Sequence, residues 1–280
     1  MSSFSLTVVT VVLNDVDRLG ETLESVQSQT SRDFEWLVID GGSTDGSREL
    51  VMKKSVAFGE AGIAVRTIFE PDRGLYDAMN KGISQALGRY VTFLNAGDVL
   101  AAQSAIETSI ESVRKTGCPP IVFFDALAVY PGDLFVYLPA KSFWPAVKHS
   151  SPASHQATWF DKSMHAEIPY DPSYCVSADY CAIAAFAAAG ASSASIGSTF
   201  VIVDKGTESV SFRHPVKHLI ECARVQRRVL RLGLMYVTLS ACNRAFKKLF
   251  WVLSVSPLSR WLLPPLLVMR SRFSQRQRQL

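Results

Sequence analysis

With 280 residues, 48% of them hydrophobic and 19% charged, the chain can bury one large core and is too apolar for an extended, disordered polypeptide. Its five cysteines, at 118, 175, 181, 222 and 242, form no C-x-x-C pair and are spaced too unevenly for a zinc site or a disulfide scaffold, which predicts a reducing compartment. The net charge of +4 is divided: Val216–Leu280 carries roughly a dozen more Lys and Arg than Asp and Glu, leaving the remainder acidic by roughly eight charges.

The chain opens on Leu6–Leu13 (LTVVTVVL), rich in β-branched residues and ending at Asn14–Asp15, where a strand stops and a loop opens. No basic residue precedes this run and no small-residue cleavage site follows it, so a buried strand is predicted rather than a secretory signal. Leu19, Leu23 and Val26 recur at helical spacing through Gln29, and Phe34–Ile39 forms a second strand ending at Asp40. Ser47–Ser55 reads as helix, Ala64–Phe69 as strand, Leu75–Leu87 as helix and Tyr90–Leu94 as a strand stopping at Asn95. Helix Ala101–Lys115 and strand Ile121–Phe124 complete the series. Such alternation predicts an α/β fold, a Rossmann-like, mostly parallel sheet with helices on both faces. From Asp125 to Tyr174 the pattern breaks into short strands, prolines and a Ser/Pro segment. A helix then runs from near Asp179 to Ala189, and Phe200–Val203 is the last strand before the basic tail.

Ligands of such a sheet sit at the carboxyl ends of its strands, which gives weight to Asn14, Asp40 to Asp45, Glu70 to Arg73 and Asn95 to Asp98. Carboxylates gathered at one edge suit a divalent metal that cancels diphosphate charge, and Gly41, Gly42 and Gly46 let a backbone approach a ligand closely. In helix Leu75–Leu87 the spacing places Leu75, Met79, Ile83 and Leu87 on the buried face, and Asp77 and Lys81, four apart, are expected to pair.

The run DGGSTDGS from Asp40, followed by EPDRGLYDAMNKGISQALGRYVTFLNAGD from Glu70 to Asp98, resembles the amino-terminal half of the inverting family-2 glycosyltransferases, especially the branch that builds bacterial exopolysaccharides such as colanic acid. The likeness covers roughly the first hundred residues and fades beyond Asp125. It implies a GT-A fold, a nucleotide diphosphate sugar as donor, a saccharide acceptor that is lipid-linked in much of the family, and a divalent metal, Mg²⁺ or Mn²⁺. Asp40 matches the residue that contacts the base, and Asp72 with Arg73 falls in the next nucleotide-contacting loop. Tyr76 and Asn80 match positions near the donor, and Thr10, Asn14, Gly42, Ser43, Asn95 and Ala96 complete the nucleotide-sugar site. Asp98 matches the metal-ligating Asp that ends the D-x-D-type signature, although Asn95-Ala96-Gly97-Asp98 has Asn and Gly at two usual acidic positions. One carboxylate, phosphate oxygens and water still fill an octahedron.

Inverting transfer needs a base beside the acceptor hydroxyl, and Asp179 matches the Asp that supplies it in the family. Helix N-capping is the structural alternative for both Asp98 and Asp179. His155 and Gln156 are candidates on the acceptor side, whereas His214, beside a proline, is expected to be structural. These assignments divide the chain into a nucleotide-sugar-binding half (1–125), an acceptor-side half of the same domain (126–215) and a basic amphipathic helical tail (216–280).

In the tail, Leu249–Met269 is apolar but interrupted by Pro257, Arg260, Pro264 and Pro265, which favours an interfacial anchor over a span, with Trp251 and Trp261 at headgroup level and Arg side chains on anionic lipid. This predicts a peripheral protein on the cytoplasmic face of the cell membrane. Packing of the tail on the catalytic domain, or on a second subunit of an oligomer, is the alternative. Nucleic acid is not an expected partner, since no recognition module accompanies the charge. A dinucleotide oxidoreductase is disfavoured because no G-x-G-x-x-G follows the first strand. A catalytically silent, glycosyltransferase-like partner protein is the second reading, kept open by Asn95 and Gly97.

Overall fold

A computed structural model describes residues 4–130, 134–205 and 213–255. The first half follows the expected alternation: β1 (Phe4–Val12), α1 (Val16–Gln27), β2 (Phe34–Asp40), α2 (Ser47–Glu60), β3 (Ala64–Phe69), α3 (Leu75–Gln85) and β4 (Gly88–Phe93). The strands β3, β2, β1 and β4 lie parallel in that order. Apolar residues fill both faces of β1. Leu6, Val8 and Val12 pack into one core layer and Val9 and Val11 into the other, so the sheet is covered on both sides. Gly88 opens β4 because a Cβ there would lie 2.5 Å from the backbone of Leu6 and Thr7, closer than any side chain tolerates.

Beyond β4 the elements depart from the expected boundaries. Just before the helix predicted at Ala101 lies β5 (Val99–Leu100), paired antiparallel with the last strand, and α4 begins four residues later than expected, at Ala105 (Ala105–Lys115). Next, β6 (Ile121–Tyr130) runs well past Phe124, across the boundary predicted at residue 125, and pairs with β7 (Leu134–Leu138). Then come α5 (Phe143–Val147), a 3-10 turn His155–Ala157, β8 (Thr158–Asp161), α6 (Lys162–Glu167), α7 (Ala178–Ala188) and β9 (Ser193–Asp204). Among the described residues one sheet of nine strands runs in the order β3-β2-β1-β4-β8-β6-β9-β5, with β7 beside β6. Strand β8 is antiparallel to both of its neighbours, and β6 with β9 is parallel with a register shift near Asp125.

Two side-chain expectations on α3 fail. Met79 and Ile83 are buried, but Leu75 and Leu87, at the helix ends, are exposed, and Ala78 and Gly82 complete the inner face. Asp77 pairs with Arg73 (3.8 Å), while Lys81 reaches back to Glu70 (3.3 Å) and the Pro71 carbonyl (2.7 Å), so the expected Asp77–Lys81 pair does not form.

The described part of the basic tail, through Val255, packs on the rest of the molecule. Helices α8 (Pro215–Arg228) and α9 (Leu234–Val255) pack against each other, and α8 packs on α7. Buried Gln226 donates to the Lys148 carbonyl (2.6 Å) and to Ser240 (2.9 Å). No helix among the described residues is long and apolar enough to cross a membrane. The apolar stretch Leu249–Met269, with Trp251 and Trp261, lies outside the described residues except for its backbone through Val255.

Candidate functional site

The ends of β1, β2 and β3 form one interlocked edge. Asp40, the last residue of β2, accepts the Gly42 and Ser43 amides through Oδ1 (2.8 and 2.7 Å), which folds the glycine loop over it. Its Oδ2 is buried without a hydrogen-bond partner. Asn14, held at a φ of 51°, accepts the Thr44 amide (2.8 Å) and donates its own amide to Ser43 Oγ (3.0 Å). Asp72 accepts the Gly74 amide (2.8 Å) ahead of α3, and a Cβ on Gly41 would stand 2.1 Å from Asp72 Oδ2. Only glycine at 41 lets the Asp40 and Asp72 loops touch. Arg73 extends into solvent with a side chain 93% exposed.

Next to this edge a cleft of about 380 Å³ opens between β4, β9, α7 and the tail helices. Tyr76, Asn95, Ala96, Asp98, His155, Gln156 and Asp179 all line it; Thr10, Asn14, Asp40, Gly42, Ser43, Asp72, Arg73 and Asn80 do not. For two of the latter the structure explains why. The Thr10 hydroxyl lies inside the sheet and accepts from the Trp36 indole (3.0 Å). Both ends of the Asn80 carboxamide are bonded to the backbone of Tyr170 (2.9 Å each), which makes Asn80 a tie between α3 and the loop before α7.

Asp98 sits in a turn closed by its amide on the Asn95 carbonyl (3.0 Å). It is 3% exposed, and its Oδ1 accepts the Asp204 amide (3.0 Å) while Oδ2 accepts the Gln156 carboxamide (3.1 Å). The alternative as an N-cap does not apply, since Ser104 occupies that place before α4. Burial pushes the Asp98 carboxyl up to about 6 against the pull of the Lys205 charge, as expected where a carboxylate is desolvated with little compensation. Asn95 Oδ1 is likewise buried without a partner. Among the described residues no group of three or more His, Cys, Asp or Glu could hold a metal. A carboxylate and an adjacent, unpartnered amide oxygen are nevertheless the hard donors that Mg²⁺ or Mn²⁺ takes when substrate phosphates and water complete its shell.

Asp179 lies in the first turn of α7, half-buried, with its carboxyl raised by desolvation and drawn partly back by the Tyr180 amide, His218 and Lys205. It makes no cap. The amides of Cys175, Val176 and Ser177 ahead of the helix donate instead to the carboxylate of Glu221 on α8 (3.0, 2.9 and 2.9 Å). His155 stacks on Phe93 and meets the Tyr170 hydroxyl through Nε2 (2.6 Å); burial drives its imidazole down to about 3, so it is neutral. The Tyr76 hydroxyl is held far above its ordinary range by burial and by nearby Asp179. His214 is exposed at the start of α8 and does not line the cleft, whereas His218, one turn on, does. The sequence reading missed His218, Lys205, Asp204, Arg18 and Arg244, all in the cleft wall. Only Arg18 carried a local signal, its i+3 spacing from Asp15, with which it pairs while reaching Asp204 at 3.8 Å.

A mostly parallel sheet with acidic loops at its carboxyl edge, extended through the antiparallel strand β8 to β6 and β9, has the GT-A-type α/β architecture. Residues 7–162 match the family described as glycosyl transferase family 2, and the chain belongs to that family of enzymes. It is 32% identical over 190 residues to an uncharacterized glycosyltransferase of Mycobacterium tuberculosis, spanning 64% of this chain and 67% of that protein. It is 36% identical over 100 residues, 36% of this chain and 38% of the other, to a PGL/p-HBAD biosynthesis glycosyltransferase of Mycobacterium bovis. In fold it resembles the S. aureus TarS fragment 1–349 in complex with UDP-GlcNAc (TM-score 0.64, 16% identity, 92% of this chain and 78% of that one). It also resembles the mannosyltransferase PcManGT of Pyrobaculum calidifontis in complex with GDP-Man and Mn²⁺ (TM-score 0.61, 15% identity, 91% and 82%). None of these four is named as an exopolysaccharide enzyme, so that narrower expectation rests on motif resemblance alone.

Proposed function

We propose that this glycosyltransferase moves a sugar, with inversion, from a nucleoside diphosphate donor to a saccharide hydroxyl, with Asp98 at the donor end of the cleft and Asp179 as base. The observation that carries the reading is that these two desolvated aspartates, Asp98 buried and Asp179 half-buried, 81 positions apart in the chain, line one cleft beside the carboxyl edge of the sheet. Asp40 receives the base of the nucleotide, for which its unpartnered Oδ2 is a ready acceptor. Asp72, Arg73 and the loop at Gly42 and Ser43 flank the nucleotide, and Tyr76, Asn95 and Ala96 the sugar. Asp98 and Asn95 hold a divalent metal, which when bound neutralises the diphosphate and eases its departure. Asp179, desolvated and without a neutralising ion pair, takes the proton of the acceptor hydroxyl as the new bond forms. Gln156 fixes the orientation of Asp98, and neutral His155 shapes the wall.

Exopolysaccharide or another cell-surface polysaccharide is the proposed product class. The tail supports a peripheral place on the cytoplasmic side of the membrane: Val216 and Ile220 on α8, and Leu234, Met235, Leu239 and Phe246 on α9, are exposed among Arg and Lys side chains. To test the transfer, nucleotide sugars are titrated with and without Mn²⁺ and turnover is measured for wild type and Asp98→Asn. Metal-dependent binding with turnover abolished in the variant is expected. Undiminished turnover in Asp98→Asn removes that residue from the reaction, and binding without turnover in the wild type favours the silent-partner reading.

A further inference from the structure

Among the described residues Arg244, on α9, is a cation with no acidic partner. Its terminal nitrogens donate to neutral oxygens, the His149 carbonyl and Gln226 Oε1 (2.9 Å), and its Nε is buried and unpartnered. Among the described residues no carboxylate pairs with it, although seven ion pairs form elsewhere. A half-buried guanidinium left in this state has lost water without gaining a counter-charge. Arg244 lines the same cleft as Asp98 and Asp179, with the hydroxyls of Ser150 and Ser151 and the imidazole of His218. It sits on a different part of the wall from Asp98: Arg244 is bonded to His149 and Gln226, whereas Asp98 is bonded to Asp204 and Gln156.

We propose that Arg244, Ser150, Ser151 and His218 form an anion subsite at the acceptor end of the cleft, built for a phosphate ester carried by the acceptor. The inference rests on the transferase reading, which makes this the acceptor end. Phosphate fits better than a carboxylate for a geometric reason. A carboxylate prefers two parallel donors from one guanidinium, but two nitrogens of Arg244 are already committed to protein oxygens. Three of its five N–H groups remain, the buried Nε–H among them, and the two serines and the histidine that line the cleft with it come from other elements, a spread of donors that suits a group whose oxygens splay in several directions. The donor's own diphosphate is accounted for at Asp98. The subsite therefore asks for a second phosphate, on a soluble sugar phosphate or on a membrane-borne carrier.

The full chain is first saturated with UDP or GDP and Mn²⁺, whichever nucleotide binds, and then titrated with methyl phosphate. Wild type should bind it with a shift of the Arg244 Nε–H nuclear magnetic resonance. Arg244→Gln should bind it about tenfold or more weakly, the loss expected for one charge-assisted hydrogen bond, with nucleotide affinity unchanged. Equal methyl phosphate affinity in the two proteins, or an Arg244 resonance that stays put at saturation, overturns the subsite. The resonance is read on the wild type, so the test stands even where the variant misfolds. If neither nucleotide binds, the transferase reading fails, and methyl phosphate is titrated on the nucleotide-free chain. Vesicles of phosphatidylcholine with and without dodecyl phosphate separate the sources. Retention that needs dodecyl phosphate and is lost in Arg244→Gln, but not in the exposed control Arg227→Gln, assigns the phosphate to a membrane-borne acceptor. Equal retention on both vesicles, with methyl phosphate still bound, assigns it to a soluble one.

Discussion

Asp179 is half-buried in the first turn of α7 and has no ion pair among the described residues, while the amides just ahead of the helix go to Glu221. Such a group costs stability when ionised, and the same property suits it to the proposed role of base. Asp179→Asn is expected to lower kcat by about 10²- to 10⁴-fold, the usual share of a general base, with a melting temperature no lower than that of wild type. A large fall in melting temperature with little change in kcat would instead mark Asp179 as structural. The pH dependence follows from the sign of its shift. The base must be deprotonated, burial raises its pKa, and Lys205 and His218 pull it back, so kcat climbs with pH through a value above that of an ordinary carboxylate. Lys205→Met removes one of the two restraining charges and should move the rising limb of the pH–rate profile to higher pH. An unmoved limb, or one displaced to lower pH, would exclude Asp179 as the group being titrated. Residue types at strand ends were readable from the chain, and Asp98 lies where the motif places it. The partners of Thr10, Asn80 and His155 were not readable, because each lies far off in sequence: Trp36 for Thr10, and Tyr170 for both Asn80 and His155.

Helix α8 shows how an element read as a peripheral tail becomes part of the machinery. Glu221 is buried on it and accepts three amides at the entrance to α7, while His218 and Cys222 face the cleft. Glu221→Gln keeps the volume but loses the charge and half of the acceptors. It should cost about 1–3 kcal/mol, the penalty for leaving a buried donor unmet, readable as a lower denaturant midpoint. Because α7 carries Asp179 and not the donor site, kcat should fall while the dissociation constant for nucleotide stays within error. A variant that loses nucleotide affinity in step with kcat would argue for a global defect. Elements of the first half were legible because each strand and each helix has one period and closes on a turn residue. In the second half β6 and β9 are long, bulged and partly exposed, so no single period spans them. Strand β5 is two residues long and exists only because Val99 and Leu100 meet β9 across the sheet.

On the scale of the whole molecule, the basic helices do two things at once. Their inner sides close the cleft, through His218, Cys222 and Arg244, and their outer sides expose Val216, Ile220, Leu234, Met235, Leu239 and Phe246 to solvent. If the outer face meets anionic lipid, flotation with vesicles containing phosphatidylglycerol should recover most of the protein at low salt and less at high salt, where charge attraction is screened. Ile220→Ser with Leu239→Ser should reduce recovery several-fold without altering turnover on a soluble acceptor. Recovery that ignores both salt and these substitutions would remove the membrane from the account. Composition and charge marked the tail as different in kind. They could not mark it as packed, because the groups that hold it down, Glu221, Gln226 and Arg244, are polar residues that look like solvated surface until their partners are known.

The sequence by itself determined the alternation of strands and helices through β4 and the gathering of Asp40, Asp72 and Asp98 on loops that leave one sheet edge, because hydrophobic period and turn chemistry act between near neighbours. The tertiary structure alone decided that Asp98 and Asp179 share a cleft, that Glu221 fastens the helix carrying Asp179, and that among the described residues Arg244 has no counter-ion there. Those relations join residues tens of positions apart, and they depend on which polar groups the folded chain removes from water and which it leaves without a partner.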